Sequence, residues 1–158
     1  MSVINNIQPE TDSNAHTNQR IAFAGCMGSG KTFAALKTIR KFGFGKLLSL
    51  SAATIDPEAW VKFISHQIQA LPQNTNIVID DIRYENELIA LNQMGFKIVY
   101  MDTPWDVRIK RIQTRYKDKQ PAFNDFIRWF THESEVQLRH LPEQAFDTII
   151  RSEEQLDK

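Results

Sequence analysis

Residues Gly25 to Thr32 read Gly-Cys-Met-Gly-Ser-Gly-Lys-Thr, set between the apolar run Ile21-Ala22-Phe23-Ala24 and a stretch of helical periodicity. No other feature restricts the possible folds as much. The octet fits G-x-x-x-x-G-K-[ST], with an additional glycine at Gly28. Glycines at these places let successive backbone N–H groups turn inward around an anion. Gly25, Gly28, Ser29 and Gly30 would form that cradle, Lys31 would set a positive charge on the terminal phosphates, and the Thr32 hydroxyl suits Mg²⁺. A helix starting at Thr32 aims its positive end at the same place. A glycine-rich turn with an accidental Lys-Thr has the same spelling. The strand before it and the helix after it decide for nucleotide phosphates. Cys26 reads as a small filler rather than a redox switch.

The rest of the chain alternates in the same way. Phe33, Leu36 and Ile39 are spaced for one buried face of a helix over 32–42, stopped by Gly43 and Gly45. Lys46 to Leu50 reads as a second strand, and Asp56-Pro57-Glu58 opens a helix to about Leu71, with Trp60, Phe63, Ile64, Ile68 and Leu71 at helical spacing. Ile77-Val78-Ile79 is an unbroken apolar strand, as in a parallel sheet covered on both faces. A helix closed by Gly95 follows, then a strand from Lys97 to Asp102 and a helix from Pro104 to about Lys117. Phe123 to Arg139 reads as one further helix and Asp147 to Ile150 as a last strand. The expected fold is therefore a three-layer α/β/α P-loop NTPase fold, with a mostly parallel five-stranded sheet and a small helical lid at about 108–135. Residues 1–19 read as a flexible leader and 20–158 as one domain, with a short acceptor-binding segment at about 50–75.

Composition narrows the class of ligand. Nineteen basic residues balance nineteen acidic ones, so a protein that coats polymeric nucleic acid through bulk charge is not expected. One cysteine excludes an intrachain disulfide, and no apolar run approaches the roughly 20 residues that span a bilayer. A cytoplasmic protein without a membrane partner is expected. Histidines 16, 66, 132 and 140 show no metal-ligand spacing.

Ligands of parallel sheets sit beyond the carboxyl ends of the strands. Two features stand there. The run Ile77-Val78-Ile79 ends in Asp80-Asp81, where an acid lies beside Mg²⁺ in a nucleotide-phosphate site. Asp81 is the first choice and Asp80 the second, and either also suits a helix N-cap. Arg83 offers a fork for a second phosphate, or an ion pair to Glu85 or Glu87. The other feature is the helix from Trp105, in which Trp105, Ile109, Ile112 and Tyr116 form a core stripe. Arg108, Arg111 and Arg115 follow the same spacing on the adjacent face. Beside a phosphate loop, such a set reads as charge that closes over transferring phosphates, rather than as solvated surface.

Val78-Ile79-Asp80-Asp81-Ile82-Arg83-Tyr84-Glu85-Asn86-Glu87 resembles the D-[VI]-R-[FY]-x-N-E motif of the phage-type deoxynucleoside monophosphate kinases, with Asp81 and Arg83 at its aspartate and arginine. Pro104 to Arg115 is similar to the lid-side helix of that group and of dephospho-coenzyme A kinases. His132-Glu133-Ser134-Glu135 resembles its H-x-S-E element, and 147–156 its terminal strand and helix. The resemblance spans about 20–156. It implies transfer from ATP, with Mg²⁺, to a nucleoside monophosphate. Lys31, Asp81, Arg83, Arg111 and Arg115 would be catalytic, Arg108 would join the loop in binding ATP, and Thr32, Asp80 and Asp81 would face the metal. One departure stands out: 46–76 is short, and residues 41–82 contain no arginine. Lys62 or a base stacked on Trp60 could compensate, although both read more simply as helix-surface and core residues. A kinase of another small phosphate acceptor, or a P-loop ATPase acting as a switch, therefore stays open. Trp129 and its neighbours leave a homodimer open.

Overall fold

A computed structural model describes residues 19–42, 46–49, 57–119 and 122–157 of the chain. The leader up to residue 18, the helix stops at Gly43 and Gly45, and residues 50–56 of the expected acceptor segment lie outside the described residues.

The elements run β1 (Arg20–Ala24), α1 (Lys31–Phe42), β2 (Lys46–Ser49), α2 (Pro57–Gln69), β3 (Ile77–Ile82), α3 (Glu85–Gln93), β4 (Lys97–Met101), α4 (Trp105–Arg115), α5 (Phe123–Thr131), α6 (Glu133–Val136) and β5 (Thr148–Ile150). Short 3₁₀ turns follow α6 and β5. The sheet order is β2-β3-β1-β4-β5, and every neighbouring pair is parallel. Period-two alternation divides the core between the two faces of this sheet. Ala22, Ala24, Ile77 and Ile79 lie on one face with Ile64 and Ile68 of α2 and Leu88 and Leu91 of α3. Phe23, Val78 and Met101 lie on the other with Ala34 and Ala35 of α1. Central strands buried on both sides explain why 77–79 is apolar without a break.

Three expectations about helices need correction. On α1 the buried residues are Ala34 and Ala35, whereas Phe33 is 53% and Leu36 41% exposed. Small side chains let this helix lie close to the sheet, and the larger ones fall on its outer side. On α2, Ile64 and Ile68 are buried and Trp60 half-buried, but Phe63 is stacked on Trp60 at the surface. The single helix expected over 123–139 is broken at His132, whose backbone is extended (φ −60°, ψ 144°). The His132 ring accepts the Ser134 N–H and so caps the new helix α6. No proline or glycine marks this break, which is why periodicity ran straight through it.

Candidate functional site

The register of β3 against β1 slips by one residue where the acids stand. Ala22 pairs with Ile79, but Ala24 pairs with Ile82. The extra residue is a β-bulge, and Asp81 takes it up with φ at +66°, a left-handed conformation that short polar side chains tolerate. Regular alternation would send neighbouring carboxylates to opposite faces of the sheet. The bulge instead lets both reach the glycine loop. Asp80 is buried, and its Oδ2 accepts the Thr32 hydroxyl at 2.7 Å. Asp81 Oδ1 lies 3.1 Å from Lys31 Nζ and 2.8 Å from Arg83 Nε. The two acids have different neighbours: Asp80 stands beside the Thr32 hydroxyl, and Asp81 stands beside the Lys31 and Arg83 cations.

Lys31 is also buried, with Nζ donating to the Cys26 carbonyl at 2.8 Å across the loop. Burial pushes its ammonium below the ordinary lysine range, and the Asp81 carboxylate partly restores it. Among the described residues, two buried side-chain polar atoms lack a hydrogen-bond partner, the Ser29 hydroxyl and Asp80 Oδ1, and both belong to this site. The additional glycine has a structural reason. A Cβ on Gly28 would lie 2.9 Å from the Arg108 carbonyl, so α4 can rest on the loop only if this side chain is missing.

From α4, Arg111 Nη1 donates to the Gly28 carbonyl at 3.2 Å and lies over Gly30. Arg108 behaves differently from the expected phosphate-facing arginine. It is buried, its Nε donates to the Met27 carbonyl at 2.8 Å, and its Nη2 pairs with Glu135 at 3.0 Å. The expected core stripe of α4 is rotated accordingly, with Arg108 and Ile112 inside and Trp105 48% exposed. Arg115 is exposed, and among the described residues no hydrogen bond or ion pair ties it to the loop.

Glu135, which the sequence places in the H-x-S-E resemblance without a role, is central to this site. It is 1% exposed. Its carboxylate accepts the Met27 N–H at 2.7 Å and pairs with Arg83 at 2.8 Å as well as with Arg108. Cys26 Sγ donates to its backbone carbonyl at 3.3 Å. One carboxylate thus joins the loop, the residue after β3 and the α4 arginine. Burial raises the Cys26 thiol above its ordinary range, with Arg108 opposing. Arg83 does not pair with Glu85 or Glu87 through its side chain. Glu87 instead accepts the backbone N–H groups of Arg83 and Tyr84 and starts α3. Thr103, not singled out in the sequence, donates its hydroxyl to the Ser29 carbonyl at 2.8 Å.

Solved structures share this arrangement of strands and helices. The APS kinase of Mycobacterium tuberculosis, in complex with AMPPNP and APS, is 17% identical over 89% of this chain and 94% of its own, with a TM-score of 0.66. The chain shares the fold of that kinase. A sugar kinase from a Janibacter species is 15% identical over 89% of this chain and 90% of its own, with a TM-score of 0.59. An uncharacterized protein from Eubacterium ventriosum reaches 0.58 at 16% identity, over 85% of this chain and 88% of its own. No protein-family model matches the chain, and no curated protein matches it in sequence. Among the described residues no helix is long and apolar enough to cross a membrane.

Proposed function

We propose that the chain transfers the γ-phosphoryl group of ATP to a nucleoside monophosphate. The observation that carries this reading is the pair of arginines flanking a complete phosphate loop. Arg83 is held by Asp81 and Glu135 on the β3 side, and Arg111 lies on the loop from α4. A loop that only holds nucleotide needs Lys31 and its amides; a second cationic side suits a second anionic reactant. AMPPNP in the APS kinase neighbour supports ATP as the donor.

The residues present fit Mg²⁺. Asp80 Oδ1 is a buried carboxylate oxygen without a partner, and Oδ2 holds the Thr32 hydroxyl at its edge. Mg²⁺ commonly takes one or two carboxylates beside substrate phosphates. When bound, it supplies charge neutralisation across the β- and γ-phosphates. The protein's own groups orient and neutralise. Lys31 and the loop amides hold the donor phosphates, Arg83 binds the acceptor phosphate, and Arg111 meets charge that spreads over the γ-oxygens. An acceptor oxygen forms the new bond to phosphorus as the bond to the bridging oxygen breaks, and that electron pair leaves on ADP. A phosphate acceptor is already anionic, so no base and no covalent nucleophile are required.

Coupled ADP formation tests the proposal with dGMP, dTMP, 5-hydroxymethyl-dCMP, dAMP and AMP as acceptors. At least one should raise the rate several-fold over ATP alone. Arg83→Gln should lower kcat/KM for that acceptor by roughly ten- to a hundredfold, the scale of one lost charged hydrogen bond. The ATP-only rate should survive that change. ADP formation indifferent to all five acceptors would favour the switch reading.

A further inference from the structure

We infer that the acceptor is seated in the cleft between α5 and the phosphate loop, and that this cleft takes a planar ring carrying an anionic group. The inference rests on the phosphotransfer reading. The cleft encloses about 380 Å³, within the roughly 300–1,000 Å³ of small-molecule sites. It is lined by Met27, Asp125, Arg128, Trp129, His132 and Ser134. Met27 belongs to the loop itself, so a molecule in the cleft lies against the residue whose N–H is held by Glu135. Ser134 also sits against the Tyr84 phenol, one residue beyond Arg83.

The lining is chemically specific. Trp129 is a half-buried ring, tilted against Tyr116 at 5.1 Å and Phe126 at 5.4 Å between centroids, and the part of it that lines the cleft can take a base. Arg128, in the preceding position, is exposed and makes no ion pair among the described residues. Asp125 uses Oδ2 to cap α5 through the Ala122 N–H at 3.1 Å, which leaves Oδ1 as an acceptor for a ring N–H or a sugar hydroxyl. Ring, cation and carboxylate side by side are what a nucleotide requires.

The competing places fit less well. The groove between α4 and α5 is larger, about 570 Å³, but Trp105, Ile109, Phe126, Ile127 and Phe130 line it and no charged side chain does. The crevice at Trp60 has room for about 10 Å³, and that ring packs against the core. The cleft therefore replaces the arginine missing from 41–82 with Arg128, supplied by the helix that the break at His132 ends.

Binding measured without turnover tests this. Equilibrium dialysis of labelled dGMP and dTMP, in the presence of AMPPNP, is run on the full chain and on the Trp129→Phe, Trp129→Ala and Arg128→Gln variants. At least one monophosphate should bind the unaltered chain. Trp129→Ala should weaken it roughly tenfold or more, the scale of one lost base stack, while Trp129→Phe stays close to the unaltered chain. Arg128→Gln, at an exposed position, should weaken the monophosphate but not its nucleoside. AMPPNP affinity should be the same in all four proteins, which certifies the fold. Monophosphate binding that none of the three changes affects, or no binding to the unaltered chain, would overturn the assignment. Binding lost in Trp129→Ala without acceptor-dependent ADP would sink the transfer reading alone. Acceptor-dependent ADP with unaltered binding would sink the cleft alone.

Discussion

Glu135 shows how much of this site depends on a single buried charge. Replacing one partner of a buried ion pair strands the other, at about 3–5 kcal/mol. Arg108 is 4% exposed and has Glu135 as its carboxylate, so Glu135→Ala should lower the unfolding free energy measured in urea by that scale. Glu135→Gln, which keeps one carbonyl oxygen as an acceptor for the Met27 N–H, should lose less. An equal, small loss in both would argue against the anchoring role. Asp81 acts on Lys31 in a way that pH can read. Burial lowers the Lys31 ammonium and Asp81 raises it again, so Asp81→Asn removes the raising contribution and lets Lys31 lose its proton at lower pH. Asparagine also tolerates the left-handed backbone. The alkaline limb of ATP binding should therefore move to lower pH in Asp81→Asn; a limb that stays put would contradict the pairing. Cys26 is buried, with its thiol held above the ordinary range by burial first. A thiol reagent at mildly alkaline pH should modify the native chain slowly and the urea-unfolded chain at once.

Elements matter here through their junctions. The glycine loop, its preceding strand and its following helix were all legible, because a spaced glycine pattern and an apolar run are local signals. The bulge in β3 was not, because Asp80 and Asp81 are adjacent in sequence and only pairing with β1 reveals the extra residue. The orientation of α4 is not legible for a related reason. An arginine neutralised by Glu135 and stacked near the Trp105 and Phe130 rings can take an interior position that periodicity assigns to an apolar side chain. α5 ends where the His132 ring caps α6, a weaker signal than glycine or proline. Contact between α4 and the loop depends on Gly28, whose φ is +77°. Gly28→Ala adds a Cβ against the Arg108 carbonyl and a strained backbone, so it should cost upward of about 1 kcal/mol and weaken ATP binding. Unchanged stability in urea together with unchanged ATP affinity would show that α4 does not rest there.

Across the whole molecule, zero net charge conceals an uneven distribution. From Arg108 to Lys119 there are six basic residues and one acid, whereas 131–158 holds seven acids and three bases. The fold uses this unevenly. Arg111 serves the loop, and Glu135, from the acidic segment, turns inward to anchor Arg83 and Arg108. The parallel sheet supplies the rigid frame, since β1 and β3 are neighbouring interior strands that end at the loop and at the paired acids. Phosphoryl transfer rather than hydrolysis is the central claim, and ³¹P NMR of the chain with Mg²⁺, ATP and the effective monophosphate measures it directly. Transfer requires the ATP γ-resonance to fall while ADP and a nucleoside diphosphate grow together from ATP and the monophosphate. Inorganic phosphate rising in step with ADP, with the monophosphate resonance unchanged, would contradict it.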